Sequence, residues 1–396
     1  MVEISPLVDA SIGLTERSAA VGWRGADAYD GLWWHWPAPL VGGRLRRQAI
    51  MQLHVRSPVD IRRLYRRTHP LVPKGLALFG STGLRIRQLT GDQRAGQLAI
   101  DALELLDADQ QAGSFAWGYH WDMQTRWSFY PAGSPSVVHT AFAVSALLEA
   151  ERDAGRSDLG ERARRAARWV LDTLWIESEG FFAYHPHSEA NIHNANVLGA
   201  WLVWAALGEE ARVPVLRAVE RTIADQRPDG SWPYGEAGGN VAWADSFHSG
   251  YVIACLDRLR DLDPRIGEAV ERGAPFYEHF FGPAGEAQLW ADRRYPEDAH
   301  SAGTGLTTLA ILLRRGLVRQ ELLETVANRV LESGIRGGHA VFRRYRWGFR
   351  TFVHYLRWCD AHLALGLADA ATVLLGRGDP APAPALYEGT AGRAGS

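Results

Sequence analysis

Cysteine is nearly absent. Cys255 and Cys359 are the only two in 396 residues, too few for a disulfide scaffold, and no CxxC pair is present for zinc or thiol redox work. Excess charge is missing too: 43 Lys and Arg stand against 45 Asp and Glu, a net of -2. Nothing in that balance is built to neutralise a polyanion, so nucleic acid is not an expected partner. No apolar run approaches the roughly 20 residues that span a bilayer. Met1 is followed by a mixed stretch with acidic residues, not by a basic and then apolar signal region, so the cytoplasm is the expected compartment. No Walker loop, no HExxH and no GxGxxG after a strand occurs, and no metal or cofactor is expected.

What is present is hydrophobic residue, 46% of the chain, set in helical periods. Apolar residues recur at three- and four-residue spacing over Ala95 to Leu106, Val137 to Ala154, Leu159 to Leu174, Val197 to Leu207, Ala211 to Asp225 and Gly250 to Leu262. Leu306 to Arg314 and Gln320 to Glu332 continue the pattern, and no stretch alternates long enough to demand a strand. Residues 1–45 show little periodicity and are expected to be an irregular arm packed on the body. Residues 46–375 are the expected body. Residues 376–396, rich in Pro, Ala and Gly, read as a disordered tail.

A repeat organises the body. Five loops carry a glycine, then an aromatic, then a polar cluster. They start at Gly113, Gly180, Gly230, Gly285 and Gly338, stepping by 67, 50, 55 and 53 residues. That is the length of two helices and two loops. Hairpins of this length that each bury one face against the next predict an all-α fold, an (α/α)6-type toroid with the equivalent loops gathered at one end.

The polar clusters run directly into apolar helices. The first holds Trp117, Tyr119, Asp122, Gln124 and Arg126; the second His193, Asn194 and Asn196. The third holds Trp232, Tyr234, Glu236, Trp243, Asp245 and His248; the fourth Tyr295, Asp298 and His300; the fifth Tyr345, Arg357 and Trp358. Asp, Asn and Ser at helix starts also serve as N-caps, so each has a purely structural reading. That reading does not account for His and Tyr recurring beside them in successive repeats. If the ring closes, these side chains face one pocket. Carboxylate–imidazole pairs there suit acid–base catalysis, with Asp245, His248, Asp298, His300 and Glu236 as the catalytic candidates and the others as substrate contacts. His193, His248, His300 and Asp245 also leave a metal set open, without HExxH-type spacing to support it.

Gln226-Arg-Pro-Asp-Gly-Ser-Trp232 resembles the QW repeat of squalene–hopene cyclases and prenyltransferase-type toroids. In those proteins the Gln and Trp tie a helix end to the next hairpin. The DxDD acid of class II cyclases is absent, and the Asp/Cys/His zinc set of protein prenyltransferases is not matched, although Cys359, Asp360 and His362 lie close together. A second resemblance spans about residues 25–365. Asp27-Ala-Tyr-Asp-Gly-Leu32, Lys74-Gly-Leu-Ala-Leu-Phe79, Trp117-Gly-Tyr119, His193-Asn-Ala-Asn196, Asp229 to Glu236, Asp245 to Gly250 and Tyr295 to Ser301 are similar, in order, to a largely uncharacterised bacterial toroid family associated with polysaccharide gene clusters. This resemblance implies a toroid with a shared cavity and tilts function towards glycans.

Three functions follow as expectations. The first is a glycan-modifying enzyme. Hydrolysis would use Asp245 with Asp298 or Glu236. Epimerisation or elimination would use His248 or His300 with a tyrosine, and Arg126 or Arg357 would hold a substrate carboxylate. The second is an isoprenoid cyclase in which Asp298 or Asp245 protonates an alkene and aromatic faces steady the cation. The third is a non-catalytic binding subunit.

Overall fold

The computed structural model describes residues 4–34, 36–64, 68–109, 115–125, 128–188, 190–236 and 241–376. Gly113, Arg126 and all of the expected tail but Gly376 lie outside them.

Fourteen α-helices are described: α1 Ile4–Ala20, α2 Ala38–Val41, α3 Arg44–Arg56, α4 Pro73–Thr90, α5 Gln93–Ala108, α6 Val137–Ala154, α7 Ser157–Leu174, α8 His193–Leu207, α9 Arg212–Ala224, α10 Ser246–Leu259, α11 Pro264–Glu278, α12 Ala299–Arg314, α13 Gln320–Arg329 and α14 His362–Leu374. Six form an inner ring. α4 packs on α6, α6 on α8, α8 on α10, α10 on α12, α12 on α14, and α14 returns to α4. Each inner helix has an outer partner: α5, α7, α9, α11 and α13 follow their inner helices in the chain, and α1 lies on α14. The toroid expected from the repeat is the fold observed.

Burial separates the two rings. The outer α7 buries one stripe, Leu159, Ala163, Ala166, Val170 and Leu174, and turns its arginines outward. The inner α8 is buried from His193 through Val203. A helix apolar on every side has no exposed face, which is what a central ring requires.

The N-terminal arm departs from expectation. It is not irregular at its start: Ile4–Ala20 is a 17-residue helix that supplies the sixth outer position. Its Ser11 hydroxyl donates to the Ala364 carbonyl of α14 at 2.7 Å. The first and last described helices therefore pack together at the closure of the ring.

The repeat glycines show how neighbouring hairpins are joined. Gly180, Gly230, Gly285 and Gly338 have φ of +74°, +86°, +79° and +80°. A Cβ on Gly230 would fall 2.1 Å from the Arg272 carbonyl of α11, and one on Gly285 2.4 Å from the Thr325 carbonyl of α13. Each glycine thus sits directly against the outer helix of the next hairpin, in a conformation that L side chains rarely adopt. The Gln226 amide donates to the Gly230 and Ala269 carbonyls at 3.0 and 2.9 Å, and Trp232 Nε1 donates to the Thr222 carbonyl at 3.1 Å. These bonds tie the end of α9 to α11.

Short strands decorate the loops. The largest group is an antiparallel sheet of Gln288–Trp290, Arg293–Asp298 and Arg343–Arg344. Among the described residues no helix is long and apolar enough to cross a membrane.

Candidate active site

The N-terminal ends of the inner helices converge. Between them lies a cavity of about 460 Å³. Every inner helix contributes from its first turns or the turn before it: Lys74 from α4, His139 from α6, Asn194 from α8, His248 and Tyr251 from α10, His300 from α12, and Arg357 and Trp358 from the π-turn preceding α14. Tyr29, Tyr119, Gln124, Tyr130, Tyr184, Tyr234, Trp243 and Phe247 add to the wall, and α3 covers one side with Gln48, Met51, Gln52, Val55 and Arg56. No carboxylate lines this cavity among the described residues.

Capping and site construction use the same residues. Ser136 caps α6 by accepting from the His139 N–H at 3.3 Å. Asp245 Oδ1 caps α10 by accepting from the His248 N–H at 2.9 Å. Asp298 Oδ1 caps α12 by accepting from the His300 and Ser301 N–H groups at 3.0 and 3.2 Å. Each cap fixes the backbone of a histidine that faces the cavity. Six helix N-termini directed at one space also make it electropositive.

Two imidazole groups stand out. His248 Nδ1 is 2.7 Å from Asp245 Oδ2. A ring that donates from Nδ1 to a carboxylate keeps the lone pair on Nε2, the arrangement of a general base. His300 Nδ1 is held by the Trp358 carbonyl at 3.1 Å, and its Nε2 is 2.7 Å from the Tyr251 hydroxyl. Lys74 Nζ donates to the same hydroxyl at 3.0 Å, and His362 Nε2 lies 3.4 Å from it. Burial pushes the His300 imidazole well below its usual range, aided by His362, Lys74 and Arg357. Burial likewise pushes the Lys74 ammonium well down and the Tyr251 phenol up. The result is a neutral imidazole, a phenol that keeps its proton, and a lysine whose charge is weakly held.

Arg357 has its charge already matched. Its Nη2 donates to Asp27 Oδ1 at 2.7 Å while its plane lies over Tyr119 and Trp358. Tyr234 and Trp243 stack at 4.4 Å with 10° between their planes. Among the described residues, three buried polar atoms at the cavity have no hydrogen-bond partner: His139 Nε2, Asn194 Oδ1 and Trp358 Nε1. Such atoms are costly unless something else satisfies them, as ligand hydroxyls would.

Of the residues singled out in the sequence, Tyr119, Gln124, Asn194, Tyr234, Trp243, His248, His300, Arg357 and Trp358 line the cavity, and Asp245 stands behind His248. The others are elsewhere. Asp298 is absent from the cavity wall because its oxygens cap α12 and accept from Arg343 Nε at 3.2 Å. Glu236 is held by Arg221 at 2.7 Å and by Asn191 at 2.6 Å, in a separate outer recess. Trp117 and Trp232 are core staples whose indoles bond to the Leu106 and Thr222 carbonyls. Asn196 is spent on the Ala218 carbonyl and the Phe182 N–H. His193 lies against Thr222 and Asp225, held to about pKa 4 by burial. Asp122 accepts from the Ala132 N–H in another recess. Tyr295 lies on the three-stranded sheet and Tyr345 on its outer hairpin. The possible metal set is not gathered: no group of three or more His, Cys, Asp or Glu is placed to hold an ion among the described residues.

Lys74, His139 and Tyr251 were not singled out. Tyr251 and His139 sit within apolar helical runs, where an isolated polar residue reads as core. Lys74 does carry a signal: a lysine at the second position of a helix whose first two turns, residues 73–80, are otherwise apolar or glycine.

No protein-family model matches the chain, and no curated protein matches its sequence. Solved structures match its fold. An unsaturated glucuronyl hydrolase specific for heparin aligns at TM-score 0.62 over 94% of this chain and 99% of its own, with 13% identity. The unsaturated glucuronyl hydrolase from Bacillus sp. GL1 aligns at 0.61 over 92% and 96%, with 12% identity. The cellobiose 2-epimerase from Bacillus thermoamylovorans B4167 aligns at 0.60 over 76% and 87%, with 11% identity. At such identities the likeness is one of architecture: the chain shares its α/α toroid with these enzymes.

Proposed function

We propose that this protein is a carbohydrate-active enzyme that removes a proton from a sugar carbon and returns one, as in epimerisation or elimination. The observation that carries this reading is the make-up of the cavity: the His248 imidazole, backed by Asp245, and the Lys74–Tyr251–His300 group share one wall, and among the described residues no carboxylate lines it. His248 Nε2 takes the proton from the carbon beside a carbonyl. The C–H electron pair moves into a carbon–carbon double bond, and the carbonyl oxygen becomes an enolate. Helix N-termini and Lys74 stabilise that negative charge. Tyr251, whose ring lies 6.5 Å from that of His248, delivers its phenolic proton to carbon and takes one from Lys74 Nζ, which donates to its hydroxyl; His248 then gives up its proton to solvent and Lys74 regains one there. Loss of a leaving group from the enolate would instead give an unsaturated sugar.

Aromatic walls for sugar faces and three unpartnered polar atoms for hydroxyls support a saccharide as the ligand. Hydrolysis by two carboxylates and cyclisation started by one carboxylic acid both need an acid on this wall. The test is incubation of the enzyme with cellobiose and with a uronate-ended disaccharide in D2O. Deuterium entering a substrate carbon supports the reading. New reducing ends without deuterium, or no turnover of either sugar class, would overturn it.

A further inference from the structure

One face of the molecule differs from the rest in composition. Thirteen large hydrophobic residues are exposed among those described, and eight of them belong to two segments: Leu40, Leu45, Leu53, Val59 and Leu64 in the first, Trp347, Phe349 and Phe352 in the second. The same segments are basic. Residues 40–64 and 343–352 hold ten arginines and one carboxylate, Asp60, in a chain whose overall charge is -2; Arg62 is buried against Asp30, and Arg343 and Arg344 face Asp298 and Glu297, so the outward charge comes from the others, among them Arg44, Arg46, Arg346 and Arg350. The segments touch. The Phe352 N–H donates to the Pro58 carbonyl at 2.7 Å, the Tyr355 hydroxyl donates to the His54 carbonyl at 3.0 Å, and Arg62 lies over the Tyr355 ring.

Their geometry suits a flat partner. On α3, Leu45, Ala49 and Leu53 fall at i, i+4 and i+8 and are exposed, with Arg44 and Arg46 exposed beside them. The other side of the same helix, with Gln48, Met51 and Val55, lines the cavity. Trp347 is 91% exposed at φ +61°, and Arg346 and Arg350 lie over the Trp347 and Phe352 rings. A short basic helix with leucines on its outer face, beside a hairpin tip of Trp and Phe among arginines, has the composition of an interfacial membrane contact.

We propose that α3 and the hairpin around Trp347 form a docking face for an anionic bilayer surface, and that the cavity flanked by α3 opens beside the lipid. Charge complementarity selects the occupant. Arginines meet lipid phosphates, while the exposed leucines, Trp347 and Phe349 enter the headgroup layer. If the glycan chemistry proposed above is right, a saccharide carried on a lipid becomes the fitting substrate class; the membrane contact itself does not depend on that chemistry.

Flotation of the full chain with vesicles tests this without any measure of turnover. Vesicles of phosphatidylcholine and phosphatidylglycerol in equal parts are expected to carry the protein, and vesicles of phosphatidylcholine alone to leave it behind. Each of Arg46→Gln, Arg346→Gln and Arg350→Gln should weaken binding about fivefold. Leu45→Glu with Trp347→Ser should abolish it, while circular dichroism shows an unchanged fold. Absence of binding to the anionic vesicles at low salt would overturn the proposal. So would binding that the Leu45→Glu, Trp347→Ser protein retains in full, since charge alone would then account for the contact and a free polyanion would be the better occupant.

Discussion

The two ends of the inner ring are built from similar helices and solve opposite problems. At the C-terminal end, charges are buried together with their partners. Arg85 of α4 pairs with Asp369 of α14 and lies 3.6 Å from Glu149 of α6, and Thr307 of α12 donates to Asp369 at 2.7 Å. Asp257 of α10 accepts from Arg315 at 2.9 Å and from Arg260 at 3.2 Å. At the N-terminal end, polar groups are buried with fewer partners among the described residues: His139, Asn194 and Trp358 each keep a polar atom that none of these residues meets, and Lys74 meets a phenol in place of an acid. Buried charges that are paired hold a shape. Buried polar groups left short of partners are what a ligand can satisfy. The first end holds the ring, and the second is free to do chemistry.

Changes at the two ends should therefore separate activity from stability. The largest effect is expected at the N-terminal end. His248→Asn or Tyr251→Phe should lower deuterium exchange by about 10²- to 10⁴-fold, with the melting temperature nearly unchanged in calorimetry. A matching loss of stability would erase the distinction. At the other end, Arg85→Met strands Asp369 and Glu149, and denaturant unfolding should show a loss of about 3–5 kcal/mol. The folded fraction should retain wild-type turnover.

Smaller effects sharpen the contrast. Gly230→Ala forces a methyl onto the Arg272 carbonyl at a positive φ and should cost about 1–3 kcal/mol of stability, read from chemical denaturation, without altering the cavity. Acid should act through the histidines. His193 and His185 are held to about pKa 4 by burial, and burial also pushes His139, His300 and His362 down. The unfolded chain therefore binds more protons than the folded one below its ordinary histidine pKa of about 6.5. Stability is present in full above that value and is lost as pH falls from about 6.5 towards 4. His193→Gln should flatten part of that slope in melts taken across the range. Asp298→Asn keeps the α12 cap, since asparagine caps a helix about as well as aspartate, but takes the carboxylate from Arg343; turnover should persist while unfolding shows a loss of about 1–3 kcal/mol.

The repeat made the fold legible. Gly180, Gly230, Gly285 and Gly338 mark real junctions, and Val137 to Ala154 is a helix with those bounds. What escaped was α1, α3, α4, α11 and α14. α4 is buried on nearly every side and carries Gly75, Gly80 and Gly83, so it has no polar stripe to give it a period. The site was half legible for a related reason. Residues at helix starts announce themselves by type, and His248, His300, Asn194 and Arg357 were found that way. Sequence cannot show which of two neighbouring carboxylates is already engaged. Asp298 and Glu236 look as available as Asp245 until Arg343 and Arg221 are seen holding them.

The most direct measurement is nitrogen-15 NMR of histidine-labelled protein, with and without a saturating disaccharide from the exchange assay. Ring signals of His139, His248 and His300 should shift on binding, and that of His193 should stay in place. Shifts at His193, with the three cavity histidines unmoved, would put the sugar in the wrong recess and contradict the account.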